Sequence, residues 1–177
     1  LDELVDEAKA RGGHDNITSI LVSVEALTVA KETAREGFDT LKQVDILGQI
    51  SVFEGLNLRE LIRVLRIVYE QSAVDGQEIM PDGDRGENMF IIADGEVDLI
   101  EGERTTRLRA GENFGTFALV RPGSPRWASA RSVGRSLLLV VPASRFRDLI
   151  EADPTLGNKL LWNLLGSAAD HIERIMT

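Results

Sequence analysis

The sequence has no cysteine among its 177 residues, which excludes disulfides and thiol metal sites and suits a reducing cytoplasm. Histidine is nearly as scarce, with two copies far apart at His14 and His171. Without a thiol nucleophile or a histidine cluster, the chain offers no complete catalytic centre. No apolar run approaches the roughly 20 residues that span a bilayer, and no basic-then-apolar signal opens the chain. Positive charge is outweighed: the formal net charge of -9 would repel nucleic acid and an anionic membrane surface alike. Internal repeats and low-complexity tracts are also lacking. What is present is 43% hydrophobic residues, enough for one domain with a real core plus an appendage. The chain opens at Leu1 rather than Met, and we expect it to be a piece of a longer protein.

Residues 50–61, ISVFEGLNLREL, place Asn57 as an N-cap with Glu60 three residues later, the spacing of a capping box. Leu58, Leu61, Ile62 and Leu65 then predict one helix face. After Tyr69 short strands alternate with turns, and Gly83, Gly86 and Gly95 fall where hairpins need a positive φ. Residues 101–103, EGE, read as a further hairpin turn, residues 105–109 as the return strand and residues 136–141 as an apolar strand. Pro142 opens a helix over residues 143–151, with Phe146, Leu149 and Ile150 on one side. A last helix over residues 155–176 carries Leu156, Leu160, Leu161, Leu164, Leu165, Ile172 and Ile175, and Trp162 on it reads most simply as core.

Residues 111–130, GENFGTFALVRPGSPRWASA, have the chemistry of an anion cradle. Gly115 frees the backbone for a close approach, and Phe117-Ala118-Leu119 can form a helical turn whose leading N–H groups point outward. Arg126, after a Pro-bounded loop, supplies a rigid fork of donors. Phe114-Gly115-Thr116-Phe117-Ala118-Leu119 followed by Pro125-Arg126-Trp127-Ala128 resembles the phosphate-binding cassette of cyclic-nucleotide-binding domains, Phe-Gly-Glu-x-Ala-Leu then Pro-Arg-x-Ala. Residues 76–99, GQEIMPDGDRGENMFIIADGEVDL, resemble the same family's earlier strands and turns. The resemblance implies a mainly β fold with flanking helices, an eight-stranded jelly-roll (double-stranded β-helix) barrel with N-terminal helices and a C-terminal helix pair. It implies a cyclic nucleotide held by Gly115, Thr116, Phe117, Ala118, Leu119, Arg126, Trp127 and Ala128. It further implies a last helix that closes over the ligand or forms a homodimer seam.

Two positions depart from the pattern. Thr116 stands where the family carries a Glu that accepts the ribose 2′-hydroxyl, a charge-assisted bond worth roughly 1.5–3 kcal/mol, or about ten- to a hundredfold in affinity. Trp127 stands where small residues are usual, and either stacks on a base or fills the pocket. Arg126 in turn is either the phosphate ligand or a surface arginine paired with a carboxylate, with Arg121 and Arg131 near enough to assist.

Ahead of this domain, residues 2–10 have helical spacing, Gly12-Gly13 stop the helix and residues 17–24, ITSILVSV, are strand-like. Asp15-Asn16 can simply start a turn. Gly12-Gly13-His14-Asp15-Asn16-Ile17-Thr18 also resembles the closing motif of the protein phosphatase 2C family of metal-dependent serine/threonine phosphatases. That resemblance implies that Asp15 binds Mn²⁺ or Mg²⁺ in a complete phosphatase domain. The domain expectation is therefore a phosphatase tail over residues 1–25, a helical linker over 26–48 broken at Gly37, and a cyclic-nucleotide-binding domain over 49–177. The fragment itself is expected to be no enzyme, the longer protein a phosphatase regulated by cAMP or cGMP. The alternative is a barrel that has lost its nucleotide and serves dimerisation or docking. A different ligand on the same cradle stays open. Because the chain stops at Thr177 without a helix-turn-helix, a transcription factor of the cyclic-AMP receptor type is not expected.

Overall fold

A computed structural model describes residues 40–176, all within the compact unit Phe38–Thr177. The expected phosphatase tail, Asp15 and most of the expected linker lie outside the described residues. The described end of that linker is helix α1 (Thr40–Gln49), which buries Val44 and Leu47 in the same apolar cluster as the elements that follow. A single 3₁₀ turn (Ser51–Phe53) leads into α2 (Leu58–Leu65). The capping box forms as expected: Glu60 N donates to Asn57 Oδ1 at 3.1 Å, and Asn57 N to Glu60 Oε2 at 2.8 Å. The buried face of α2 differs from the expected one. Leu61 and Val64 are buried with Leu65 partly so, while Leu58 and Ile62 face solvent, because the helix lies on α1 along a narrower stripe than four apolar residues suggest.

Eight strand segments follow: β1 (Tyr69–Ala73), β2 (Glu78–Met80), β3 (Arg85–Gly86), β4 (Asn88–Glu101), β5 (Arg104–Arg109), β6 (Asn113–Phe114), β7 (Ser124–Pro125) and β8 (Ser129–Pro142). A short helical turn, α3 (Phe117–Val120), interrupts them, and α4 (Ala143–Ala152) and α5 (Pro154–Met176) close the domain. One sheet runs β1-β8-β4-β5, with β2 also on β8 and β6 on β4; β3 and β7 form a separate pair. This is the jelly-roll-like barrel with helices at both ends that the resemblance implied.

The two 14-residue strands β4 and β8 form its spine, antiparallel from Asn88↔Pro142 to Ile100↔Ser129. Both faces of β4 are covered, so its run of apolar residues has no polar alternation. Met89, Ile91 and Ala93 enter the helical core, whereas Phe90 and Ile92 enter the barrel interior. An irregularity between Ile92 and Glu96 reverses the parity, so that Val97 and Leu99 continue the interior face. Gly95 sits in it at φ 86°, with Arg135 O only 2.4 Å from where a Cβ would be.

The terminal helices are tied to α2 by charge. Asp153 Oδ1 accepts from the backbone N–H of Thr155 at 3.0 Å and Leu156 at 3.1 Å, and its other oxygen pairs with Arg63. The Leu156 N–H and the Arg63 guanidinium hold the Asp153 carboxyl below its ordinary value of 3.8. A depressed folded-state value contributes stability above the ordinary value and loses it as pH falls through the folded one. We therefore expect Asp153→Asn to melt at a lower temperature than wild type at pH 7 and to lose less of its melting temperature on acidification below pH 3.8, measured by circular dichroism. Parallel acid profiles for the two proteins would refute the assignment.

Candidate functional site

The cassette runs from β6 to the start of β8, and its centre is the Arg126 guanidinium. The backbone of Arg126 is fixed at both ends: its N–H donates to Asp84 O at 2.8 Å and its carbonyl accepts from Gly83 N at 3.0 Å. Pairing of Arg85 with Pro125 and of Gly86 with Ser124 sets the approach. The side chain turns inward, donating from Nη2 to Asn88 O at 2.6 Å and from Nη1 to Gly115 O at 3.2 Å. Two glycines make the notch. A Cβ on Gly86 would stand 2.9 Å from Arg126 Cζ, and one on Gly115 2.7 Å from Nη1. Gly115 also adopts φ 74°, whereas Gly86 does not have the positive φ expected of it; its glycine is required by the close approach instead.

Electrostatically the guanidinium is short of a counter-charge. It is half-buried, and burial lowers its pKa; the Asp84 carboxylate opposes this only as a charge nearby. No carboxylate forms an ion pair with it among the described residues. An arginine stays protonated under these conditions, so the site holds a desolvated positive charge whose spare donors suit an anion. The neighbouring arginines do not share this: Arg131 reaches Glu78 at 3.8 Å, and Arg121 lies exposed at the end of α3.

The other predicted site residues divide by what their side chains touch. Ala118 and Leu119 are buried, Leu119 in the helical core, and Ala128 is buried in the barrel interior. These anchor the loop. Their expected contribution through backbone N–H groups is corrected in part: Ala118 N donates to Gly115 O at 3.1 Å and Leu119 N to Thr116 O at 3.0 Å, closing the turn. A four-residue helical turn folds its leading N–H groups back onto the preceding carbonyls. Thr116 Oγ1 accepts from Asn113 Nδ2 at 2.8 Å and does not cap α3. Trp127 does not fill the barrel; it is 65% exposed and leans on Phe117, their ring centroids 4.8 Å apart. Trp162, expected in the core, is 67% exposed and lines an open groove with Glu54, Pro154 and Lys159, away from the cassette. Asn88 was missed because its part is played by a backbone carbonyl, which leaves no side-chain signature. Among the described residues no group of acidic or histidine side chains is arranged to hold a metal ion.

The loop before the last long strand of this jelly-roll-like barrel thus seats, in a notch between two glycines, an arginine that forms no ion pair among the described residues. Residues 70–153 match the model of the cyclic nucleotide-binding domain family. A cyclic nucleotide-gated potassium channel of Rhizobium etli is 25% identical over 144 residues, covering 81% of this chain and 40% of the channel. The catabolite activator protein of Thermus thermophilus superposes with a TM-score of 0.60 at 27% identity, covering 71% of this chain and 61% of that one. The regulatory domain of Toxoplasma gondii PKA, solved with cAMP, gives a TM-score of 0.56 at 27% identity over 62% of this chain and 43% of its own. The chain spans less than half the length of the curated relatives it matches.

Proposed function

We propose that residues 49–177 form a regulatory module that binds a cyclic mononucleotide, cAMP or cGMP, with the phosphate on Arg126. The observation that carries this is the half-buried guanidinium, held between Gly86 and Gly115 with no carboxylate partner among the described residues. A cyclic phosphate would supply the missing negative charge, and differential affinity for two arrangements of the flanking helices would carry the signal. Leu119 supplies the connection, since it belongs both to the cassette and to the core shared with α1, α4 and α5. The output we assign is a phosphatase 2C-like domain upstream, on the resemblance of residues 12–18, with Asp15 a ligand for Mn²⁺ or Mg²⁺ only in the complete domain. The exposed Leu161, Trp162 and Leu165 of α5 support self-association through that helix. A cytoplasmic setting is consistent with these partners.

A second reading, a barrel retained for dimerisation or docking, is favoured by one observation: the Thr116 hydroxyl is engaged by Asn113 and offers no carboxylate to a ribose. Calorimetric titration with cAMP and cGMP separates the two. We expect micromolar binding by the wild-type chain and its loss in Arg126→Ala. No heat and no shift in melting temperature at millimolar nucleotide would favour the second reading.

A further inference from the structure

The segment that carries Arg126 also carries a hydroxyl. In the β3–β7 ladder Gly86 faces Ser124 and Arg85 faces Pro125, and Arg126 continues it by donating its N–H to Asp84 O at 2.8 Å. Residues directly opposite one another, and residues two apart on one strand, share a face. Ser124, Gly86 and Arg126 therefore lie on one side of the ladder and Pro125 and Arg85 on the other. Burial agrees: Pro125 and Arg85 are exposed, whereas Ser124 and Arg126 are half-buried and Gly86 is buried. The direction in which Gly86 lacks a Cβ leads straight to the guanidinium, with Arg126 Cζ 2.9 Å from that position. A side chain directly opposite has its Cβ about 5 Å away, which sets the Ser124 hydroxyl beside the cation. That hydroxyl forms no hydrogen bond among the described residues and is not sealed from water. It lies in Arg121-Pro122-Gly123-Ser124-Pro125, a surface loop in which the arginine and both prolines are exposed.

We propose that Ser124 is a phosphorylation site and that its phosphate takes the Arg126 guanidinium, closing the cassette to any free anion. A serine/threonine protein kinase that reads Ser-Pro supplies the group from ATP. Ser124 Oγ forms the new bond to the γ-phosphorus, the bond from that phosphorus to the β–γ bridging oxygen breaks, ADP leaves, and the hydroxyl proton passes to the kinase's base. A phosphoserine carries about -1.5 to -2 charges near neutral pH and three acceptor oxygens, which is what a desolvated guanidinium without an ion pair lacks. Because the phosphate is tethered on the same short segment, it competes at an effective concentration of about millimolar, which a ligand present at micromolar levels does not match. That the excluded anion is a cyclic nucleotide rests on the reading above; the contact between phosphoserine and guanidinium does not.

The folded chain, incubated with a proline-directed protein kinase and radiolabelled ATP, should take label at Ser124 and lose it in Ser124→Ala; no label at Ser124 would overturn the assignment. The chain made with phosphoserine at position 124 by codon reassignment then tests the contact without any nucleotide. Its ³¹P resonance should titrate about one pH unit below the value of about 6 for an exposed phosphoserine, because the neighbouring guanidinium favours the dianion. The shift should vanish in Arg126→Gln and in urea. An unshifted titration in the folded protein would overturn the contact. In calorimetry the phosphorylated chain should bind cyclic AMP about a hundredfold more weakly than the unmodified chain, whereas Ser124→Ala binds it like wild type. Equal affinity of the phosphorylated and unmodified chains would overturn the closure and leave the cyclic-nucleotide reading standing. Failure of the unmodified chain to bind cyclic AMP or cyclic GMP would overturn that reading instead, while the ³¹P titration still decides whether phosphoserine 124 engages Arg126.

Discussion

Gly115→Ala is expected to abolish cyclic-nucleotide binding at micromolar ligand while leaving the barrel folded. The single methyl meets two obstacles. Gly115 holds φ 74°, a left-handed conformation that costs a non-glycine residue about 1–2 kcal/mol. Its new Cβ would stand 2.7 Å from Arg126 Nη1 and 3.1 Å from Asn88 O, and the guanidinium is the softer of the two neighbours. The arginine side chain therefore moves, giving up its bonds to Asn88 O and Gly115 O and leaving the notch. The strain alone corresponds to a melting temperature lower by several degrees, because the rest of the core is untouched. If Arg126 holds the phosphate as proposed, loss of the guanidinium's position removes its charge-assisted contacts, and affinity falls by about a hundredfold or more. Calorimetry against cAMP and cGMP, paired with thermal melts, checks both halves. Undiminished affinity in Gly115→Ala would mean that Arg126 binds no phosphate from this notch.

How far the site could be read beforehand follows from where its determinants lie. Asn57 and Glu60 form the expected cap because capping is local, settled by side chains three residues apart. Arg126 and Gly115 were legible because a fork of donors and a residue without a Cβ are chemical requirements visible in a one-dimensional pattern. Orientation was not. Whether Trp127 turns into the barrel or out of it depends on Phe90 and Phe114, which fill the interior from strands more than ten residues away in sequence. Trp162 likewise loses its expected burial because α5 presents Leu156, Leu160 and Leu164 to the core and leaves the indole on the other side. Gly86 was recognised as necessary for the wrong reason: a hairpin glycine and a glycine pressed by a distant guanidinium look identical until the chain is folded. The parity change in β4 is also tertiary, imposed by β8 and not by any alternation within β4 itself.

The largest loss of stability is expected from Phe146→Ala. Phe146 lies on α4, fully buried, in the cluster that also contains Phe53, Leu119, Leu149, Leu156 and Leu160. Truncation removes the ring's transfer free energy and leaves a cavity that the β4–β8 spine is too rigid to close, at about 3–5 kcal/mol. Against a whole-domain stability of roughly 5–15 kcal/mol this is a large share, and the melting temperature should fall by about 10 °C or more. The effect should also reach the cassette, because α3 packs on α4 and Leu119 is buried in the same cluster. A ligand that binds only the folded state raises the melting temperature according to its affinity. The shift produced by saturating cyclic AMP should therefore be smaller in Phe146→Ala than in wild type, since a loosened α4 no longer holds α3 and Gly115 in place. Scanning calorimetry with and without the nucleotide reads both quantities. An equal ligand-induced shift in the two proteins would show that the barrel alone positions the cassette, and that the closing helices report on the bound state without helping to build the site.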